Sequence, residues 1–383
     1  MTAGRAMSHI DKKFGVTKVA TVEIKETPRR NQELDGLRGV LASLVLVHHY
    51  LIYSASLRDK TWSAPDINIL NQIGSASVGL FFMLSAYLFG GKVLTSAHQF
   101  NVGEFFRNRV VRIVPVYAAA LIFSIAITFA LRPAIISPVG DLLIELGRWA
   151  SFGFWLPRDV NGVPLSGALM SVSWSLFYEW LLYALLIPIA YLCRATGRSW
   201  PAYVMLFAAS IWDRHFSLFV FGLIAVQMPR VRSPLWAVAA AVATPILLVT
   251  YHDTTSWKHG ALLFPLFVVV AHGLPVARIL NSRMLQYLGA ISYDIYLFQI
   301  PTLFALGKLG FDSVIRPGTM VSMAVSLPVF FIATMAISSI VHTQVELRVE
   351  RWVKRRQGNV CSLWGSRLTL TSGQIDIQES QMR

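Results

Sequence analysis

The sequence predicts an all-α polytopic integral membrane protein with about ten transmembrane helices and both termini in the cytoplasm. Hydrophobic residues make up 55% of the 383 residues and charged residues only 14%, a composition typical of membrane proteins. Apolar windows of about 20 residues recur along the chain, the length that an α-helix needs to cross the hydrocarbon core. These runs are continuous and do not alternate every second residue, which excludes a transmembrane barrel.

Ten segments fit such spans. They are 34–53, 69–91, 112–132, 170–192, 200–212, 215–229, 234–251, 259–273, 284–307 and 319–345. The pair at 200–229 is short because the polar sequence IWDRHF separates its members, and 140–156 is a candidate amphipathic helix lying on the membrane. The chain thus divides into an N-terminal tail (1–33), a transmembrane domain (34–345) and a basic C-terminal tail (346–383).

The distribution of lysine and arginine predicts the orientation. Of 34 such residues, the alternate segments that include both tails hold 24, the remaining segments hold nine, and Arg38 lies within the first span. Because cytoplasmic loops carry the excess of positive charge, both tails are predicted to be cytoplasmic. The net charge of +14 follows from this bias, and the scattered basic residues form no patch suited to nucleic acid.

The two cysteines give no sign of a metal or a disulfide framework. Cys193 and Cys361 both fall at or inside the predicted cytoplasmic boundary, where disulfides are rare, and their spacing matches no zinc site. We therefore predict no metal and no bound cofactor. The polar first 33 residues also lack the apolar core of a removable signal peptide.

The first predicted helix carries a polar stripe. Arg38 and His49 are 11 residues apart, which is three helical turns and about 16 Å along the axis. Asp35 lies three residues before Arg38 on the same face, so the two can pair at the helix start. Ionisable groups at membrane depth are costly and usually face a cavity or a partner. A functional role is therefore expected for at least one of His48 and His49, whereas an interfacial ion pair also explains Asp35 and Arg38.

At this point the sequence resembles the acyltransferase 3 family, membrane enzymes that O-acylate bacterial surface carbohydrates. The segment LDGLRG with Arg38 followed by His49 resembles the start of the family's first helix. VGLFFMLSAYLFGG (78–91), FRNRVVRIVPVY (106–117), SVSWSLFYEWLLYALLIP (171–188) and LGAISYDIYLFQIP (288–301) resemble four further elements in the same order. Gln299 stands where a histidine is common, and Glu346 is kept without the proline of the family's final element.

The resemblance implies transfer of an acyl group, acetyl by family habit, from acyl-CoA to a carbohydrate hydroxyl. Such a reaction needs a base, a group that stabilises an oxyanion and a cradle for an anionic donor. The candidate catalytic residues are His49 as base, Glu179 as the carboxylate that orients it, and Asp35. The candidate substrate-binding and acyl-CoA-binding residues are Arg38, Arg109, Arg112, Trp174 and Ser175. Direct transfer and an acyl-histidine intermediate are both compatible with the sequence.

The resemblance also implies a multi-pass protein of the bacterial inner membrane that contacts lipid, acyl-CoA and a glycan acceptor, such as an exopolysaccharide or a nodulation-type oligosaccharide. The competing hypothesis is a proton-coupled transporter or flippase, because buried ionisable residues could equally form a proton or substrate path. Two related halves with paired broken helices are frequent in transporters, and the sequence shows no such symmetry. A purely structural protein would leave the buried charges unexplained.

Overall fold

The computed structural model describes residues 31–64, 67–96, 99–250, 256–315 and 320–356. Within these ranges every regular element is a helix and no strand occurs, which confirms the predicted all-α class. The helices from Gln32 onward belong to one compact unit. Most of both predicted tails, and Cys361 with them, lie outside the described residues.

Besides a further helical stretch at 347–356 that follows the last π-turn, the described residues form thirteen α-helices. They are α1 (Gln32–Asp59), α2 (Asn68–Ser85), α3 (Gly91–Ser96), α4 (Val102–Leu131), α5 (Val139–Trp149), α6 (Trp174–Thr196), α7 (Trp200–Trp212), α8 (Phe216–Gln227), α9 (Leu235–Thr250), α10 (Trp257–Ala271), α11 (Arg283–Ala290), α12 (Ser292–Lys308) and α13 (Met320–Val341). Single π-helical turns at Ala86–Gly90 and His342–Glu346 continue α2 and α13, and 3₁₀-helices occupy Ser166–Ser173, Pro275–Asn281 and Phe311–Ser313.

Five helical segments are long and apolar enough to cross a membrane: Gln32–Asp59, Asn68–Thr95, Val102–Leu131, Ser166–Thr196 and Val321–Arg356. A sixth is possible if α10 and the following 3₁₀-helix, which are bent by 75°, form one span. The helices α7, α8 and α9 are apolar but have only 12 to 16 residues. These helices indicate a membrane protein, while the number of ten spans and the cytoplasmic termini stay predictions.

Large apolar side chains on the outside of the helices agree with a lipid environment. Ile122, Ile211, Val242 and Ile332 are all more than half exposed, although each lies in the middle or last turn of an apolar helix. A water-soluble protein rarely exposes such groups on so many helices. The bundle therefore presents an apolar surface that lipid would cover.

Two predicted spans differ from the observed helices. The span 284–307 is not continuous, because α11 ends at Ala290 and α12 begins at Ser292. The last helix does not stop at 345: its π-turn leads into a further helix at 347–356. Conversely, the predicted amphipathic helix at 140–156 corresponds to the shorter α5, whose last residue, Trp149, is fully buried.

Helix α1 is the centre of the bundle. Its first part, Leu34 to Leu41, belongs to a hydrophobic core with α2, α6, α7, α8 and α10, whereas Ala42 to Tyr53 belong to a second core with α4, α12 and α13. The polar stripe of α1 therefore passes from the first core into the second. That position explains how charged side chains can line internal cavities without facing lipid.

The start of α1 lies against the segment that precedes α12. A Cβ added at Gly36 would be 2.0 Å from the carbonyl oxygen of Leu280, and one added at Gly289 would be 2.0 Å from that of Asp35. Only glycine allows the backbones to approach this closely. These two backbone contacts hold the first turns of α1, including Asp35 and Arg38, against α11 and the 3₁₀-helix before it.

Candidate active site

A cavity of about 300 Å³ is lined by residues of α1, α2 and its π-turn, α4, α6 and α12. Five of the residues predicted from the sequence line it: Arg38, Arg109, Arg112, Ser175 and Glu179. Its other walls are mostly apolar and aromatic, contributed chiefly by α2 and α12. We call this space the basic cavity, since three guanidinium groups and one carboxylate face it.

The three arginines reach the basic cavity from two helices. Arg38 projects from α1 and lies close enough to Arg109, Arg112, Glu179 and Asp35 for Coulombic interaction. The Arg109 guanidinium lies over the ring of Phe89, 4.6 Å from its centroid, and its Nε is buried without a hydrogen-bond partner. Asp35 is thus placed beside Arg38, as predicted, but it does not line the cavity.

Glu179 and Ser175 lie one turn apart on α6 and have different partners. Glu179 accepts a hydrogen bond from the hydroxyl of Tyr183, whose side chain also lies near Arg109. The Ser175 hydroxyl is 2.8 Å from that of Tyr296 on α12. The cavity therefore contains a carboxylate among arginines and, further along, a pair of hydroxyl groups able to donate to a ligand oxygen.

His49 lies outside the basic cavity. Its ring stacks on Trp62 at a centroid distance of 6.3 Å and lies 5.5 Å from the ring of His48. The amide of Gln299 approaches it, yet the Nδ1 atom of His49 and the Oε1 atom of Gln299 are both buried without a hydrogen-bond partner. The predicted pairing of His49 with Glu179 is not formed, because Glu179 faces the arginines and Tyr183.

A buried cluster of charges adjoins the basic cavity. The Nη1 atom of Arg112 is 2.7 Å from Oε1 of Glu346, and Nδ1 of His342 lies 2.8 Å from Oε2 of Glu346 and 3.5 Å from Oδ2 of Asp294. Neither carboxylate side chain is exposed. Asp294, Glu346 and His342 are close enough to hold a metal ion. With His342 protonated, however, the two positive charges of Arg112 and His342 already balance the two carboxylates.

Trp174 faces a second, smaller cavity of about 290 Å³, which shares Val78 and Phe82 with the basic cavity. His215 lines it as well, and the ring centroids of Trp174 and His215 are 5.5 Å apart. Asp213 holds this imidazole through a 2.7 Å contact between its Oδ1 and Nδ1 of the ring. A histidine oriented by a carboxylate thus exists in this chain, but it is not the predicted pair.

The environment of Asp213 favours its charged form. Partial burial raises the pKa of this carboxyl, but hydrogen bonds from the backbone and ring of His215 and from the hydroxyl of Tyr178 outweigh burial and hold the pKa below its usual value. A carboxylate can only accept hydrogen bonds, so Nδ1 of His215 is the donor to Asp213.

A family model described as an acyltransferase domain matches residues 31–343, which is most of the chain. The chain belongs to the acyltransferase 3 family. No curated protein and no solved structure matches it. The acyltransferase match and the apolar helices together identify a membrane acyltransferase.

For this acyltransferase, the sequence predicted the arginines of the basic cavity but not the buried charged residues Glu346 and His342, of which Glu346 pairs with Arg112. Both residues lie at the end of the last predicted span, where charged side chains commonly sit at the membrane surface. The available signal was their spacing of four residues, which brings two ionisable groups together on a helix. For the Asp213 and His215 pair, the signal was the polar sequence IWDRHF within an otherwise apolar region.

Proposed function

We propose that this acyltransferase moves an acyl group, by default acetyl, from cytoplasmic acyl-CoA to a hydroxyl of an extracytoplasmic or lipid-linked carbohydrate at the bacterial inner membrane. The observation that carries the proposal is the basic cavity, in which three arginines from α1 and α4 meet beside apolar walls. Guanidinium groups suit phosphates, and apolar walls suit the rest of a thioester donor. No metal and no bound cofactor takes part in the proposed reaction.

The donor would bind with its phosphates at Arg38, Arg109 and Arg112. Arg109 lies over the ring of Phe89, a contact that would order the guanidinium before the ligand arrives and so reduce the entropy lost on binding. The hydroxyl groups of Ser175 and Tyr296 lie further along the same cavity. There they are suited to donate a hydrogen bond to the thioester oxygen as it becomes negative.

His49 is the proposed base. Its Nδ1 atom is buried and unpaired, a costly state that an incoming hydroxyl would relieve. In the proposed reaction His49 takes the proton of the acceptor hydroxyl as that oxygen attacks the thioester carbonyl. The carbon–sulfur bond then breaks, and the thiolate of coenzyme A receives the proton. Since Glu179 does not contact His49, we assign it to balancing the charge of the arginines and holding Tyr183.

The arrangement along α1 supports a reaction that joins two compartments. Arg38 lies at the end of the helix where the basic loops are, and His49 lies about 16 Å further along the axis. With both termini cytoplasmic, as the lysine and arginine distribution predicts, the donor would enter at Arg38 and the acceptor would approach from the other end. The short helices α7, α8 and α9 would cross where the bilayer is locally thinned.

The test is acyl-CoA turnover by the purified protein in detergent, measured as released coenzyme A with several donors and crude surface glycan. We expect glycan-dependent release by the wild type and a loss of at least 100-fold in His49→Ala. His48→Asn is the matched control, because asparagine can keep a hydrogen bond to the Leu70 carbonyl that His48 contacts at 2.9 Å. No release with any donor by a folded wild type would contradict the acyltransferase reaction and favour transport.

A further inference from the structure

The polar stripe of α1 continues beyond His49 into a third cavity. Tyr53 and Ser56 follow His49 by four and seven residues, so they lie within about 40° of the same helical face. Both line a cavity of about 500 Å³ at the end of α1 opposite Arg38. We call it the distal cavity; its lining includes Tyr53, Ser56, Lys60, Arg132, Phe304 and Lys308.

Aromatic rings join the distal cavity to the proposed base. Phe304, in the cavity wall, packs edge-on against Tyr53 at 5.4 Å and lies 6.2 Å from the ring of Trp62. Trp62 in turn stacks on His49. A group bound in the distal cavity is therefore separated from His49 by one layer of rings, and four residues of helix correspond to about 6 Å along the axis.

The distal cavity is strongly basic. Lys60, Arg132 and Lys308 line it, and Asp312 is its one acidic lining residue. The carboxylate of Asp312 accepts a 2.7 Å hydrogen bond from the Tyr53 hydroxyl. Lys60 and Arg132 each donate to one backbone carbonyl, which leaves further N–H groups of both side chains available to a ligand.

Membrane topology does not account for this concentration of positive charge. The segments predicted to lie outside hold only nine lysines and arginines, as the positive-inside tendency requires. Three of those nine line this one cavity. They come from three separate parts of the chain: the end of α1, the end of α4 and the end of α12. Convergence of cations that are otherwise depleted on this side indicates an anionic ligand.

Two lining residues also have an unusual backbone conformation. Lys60 has φ of +56° and Leu165 has φ of +61°, in the left-handed region that residues other than glycine rarely adopt. Each costs free energy that the surrounding structure must supply, and such residues cluster at binding sites. The positive φ at Lys60 turns the chain at the end of α1, so that this side chain stays at the cavity.

We propose that the distal cavity binds an anionic carbohydrate, a glycan bearing carboxylate or phosphate groups, as the acyl acceptor, and that the Trp62 and Phe304 rings move aside to let one of its hydroxyls reach His49. The proposal rests on the proposed acyl transfer, and it adds the charge of the acceptor. Lys60, Arg132 and Lys308 neutralise the anionic groups, while the rings of Tyr53 and Phe304 offer apolar contact to a sugar face. A neutral glycan with the same hydroxyls would lose the charge contacts.

The experiment measures equilibrium binding of trigalacturonate and of its methyl ester to the purified full-length protein without acyl-CoA. The two probes have the same sugars and differ in charge. We expect trigalacturonate to bind at least tenfold more tightly than the ester, and this preference to shrink as salt rises from 50 to 500 mM. Lys308→Gln and Arg132→Gln should each weaken trigalacturonate binding about fivefold, whereas Arg158→Gln, which removes a cation outside the cavity, should not.

Equal or absent binding of the acidic probe would overturn the proposal. So would competition by phosphatidylglycerol in the micelles that depends on Lys308 and Arg132, because the cavity would then be a lipid site. The outcome is separable from that of the acyl transfer itself. Charge-selective binding without turnover would support the cavity and contradict the enzyme, while equal turnover of acidic and esterified glycans would support the enzyme and contradict the cavity.

Discussion

The ion pair between Arg112 and Glu346 allows a prediction in which two neutralising substitutions have unequal effects. Removing one partner of a buried pair commonly costs about 3–5 kcal/mol, because the other charge stays buried. Glu346 has no exposed surface and the Arg112 side chain is 26% exposed. Arg112→Gln leaves two carboxylates facing one imidazolium, and we expect it to lower the free energy of unfolding by about 3 kcal/mol.

Glu346→Gln should cost less. It leaves Arg112, Asp294 and His342, and these balance if His342 releases its proton, so the loss should be about 1 kcal/mol. The double variant Arg112→Gln/Glu346→Gln leaves Asp294 with a protonated His342, again a balanced pair. It should therefore be more stable than Arg112→Gln alone, although it carries one more substitution.

The assay is thermal unfolding of the purified protein in detergent, followed by tryptophan fluorescence. At about 2 °C per kcal/mol for a large chain, Arg112→Gln should lower the midpoint by roughly 6 °C, and the second substitution should restore part of that loss. Equal decreases of the unfolding midpoint in Arg112→Gln and Glu346→Gln would refute the explanation from unbalanced buried charge. A double variant whose loss equals the sum of the singles would show that the groups are not coupled.

Three further predictions concern packing and the basic cavity. Gly36→Ala should destabilise the protein by about 2 kcal/mol or more, because its Cβ would meet the Leu280 carbonyl, while Gly140→Ala, whose Cβ meets nothing within 4 Å, should leave the unfolding midpoint unchanged or raised. Glu179→Gln should lower kcat about tenfold with membrane abundance within twofold of wild type, and equal activity per folded molecule would contradict its role. Arg109→Gln should raise the acyl-CoA KM about tenfold with little change in kcat, and an unchanged donor affinity would remove Arg109 from the donor site.

The positions of the helices could be predicted from the sequence wherever a helix coincides with a long apolar run. Each of the ten predicted segments corresponds to a helix or a pair of helices, because run length reports helix position directly. The interruption at Ile291 could not be predicted in this way. It lies two residues after Gly289, which packs against the backbone of α1, a contact between distant parts of the chain. The π-turn at Ala86–Gly90 is equally invisible to a count of 3.6 residues per turn.

The site was predictable as a set of residue types but not as a set of pairs. Arg38, Arg109 and Glu179 do face one cavity, and the family resemblance singled out all three. A position along a predicted helix does not tell which neighbour the side chain of His49 or Glu179 faces. Their predicted contact failed for that reason. The partner of Arg112 was missed because Glu346 lies 234 positions later in the chain.

The buried cluster at the end of the last helix also bears on the order in which the protein assembles. Helix α13 and its π-turn are synthesised after α4 and α12, and burial of Glu346 is favourable only once Arg112 is in place to meet it. The final helix can therefore dock stably only on a bundle that already contains its two earlier partners. A chain released before residue 342 would leave Asp294 buried without a counter-charge. Such a truncated chain would remain incompletely folded, and cellular proteases would degrade it.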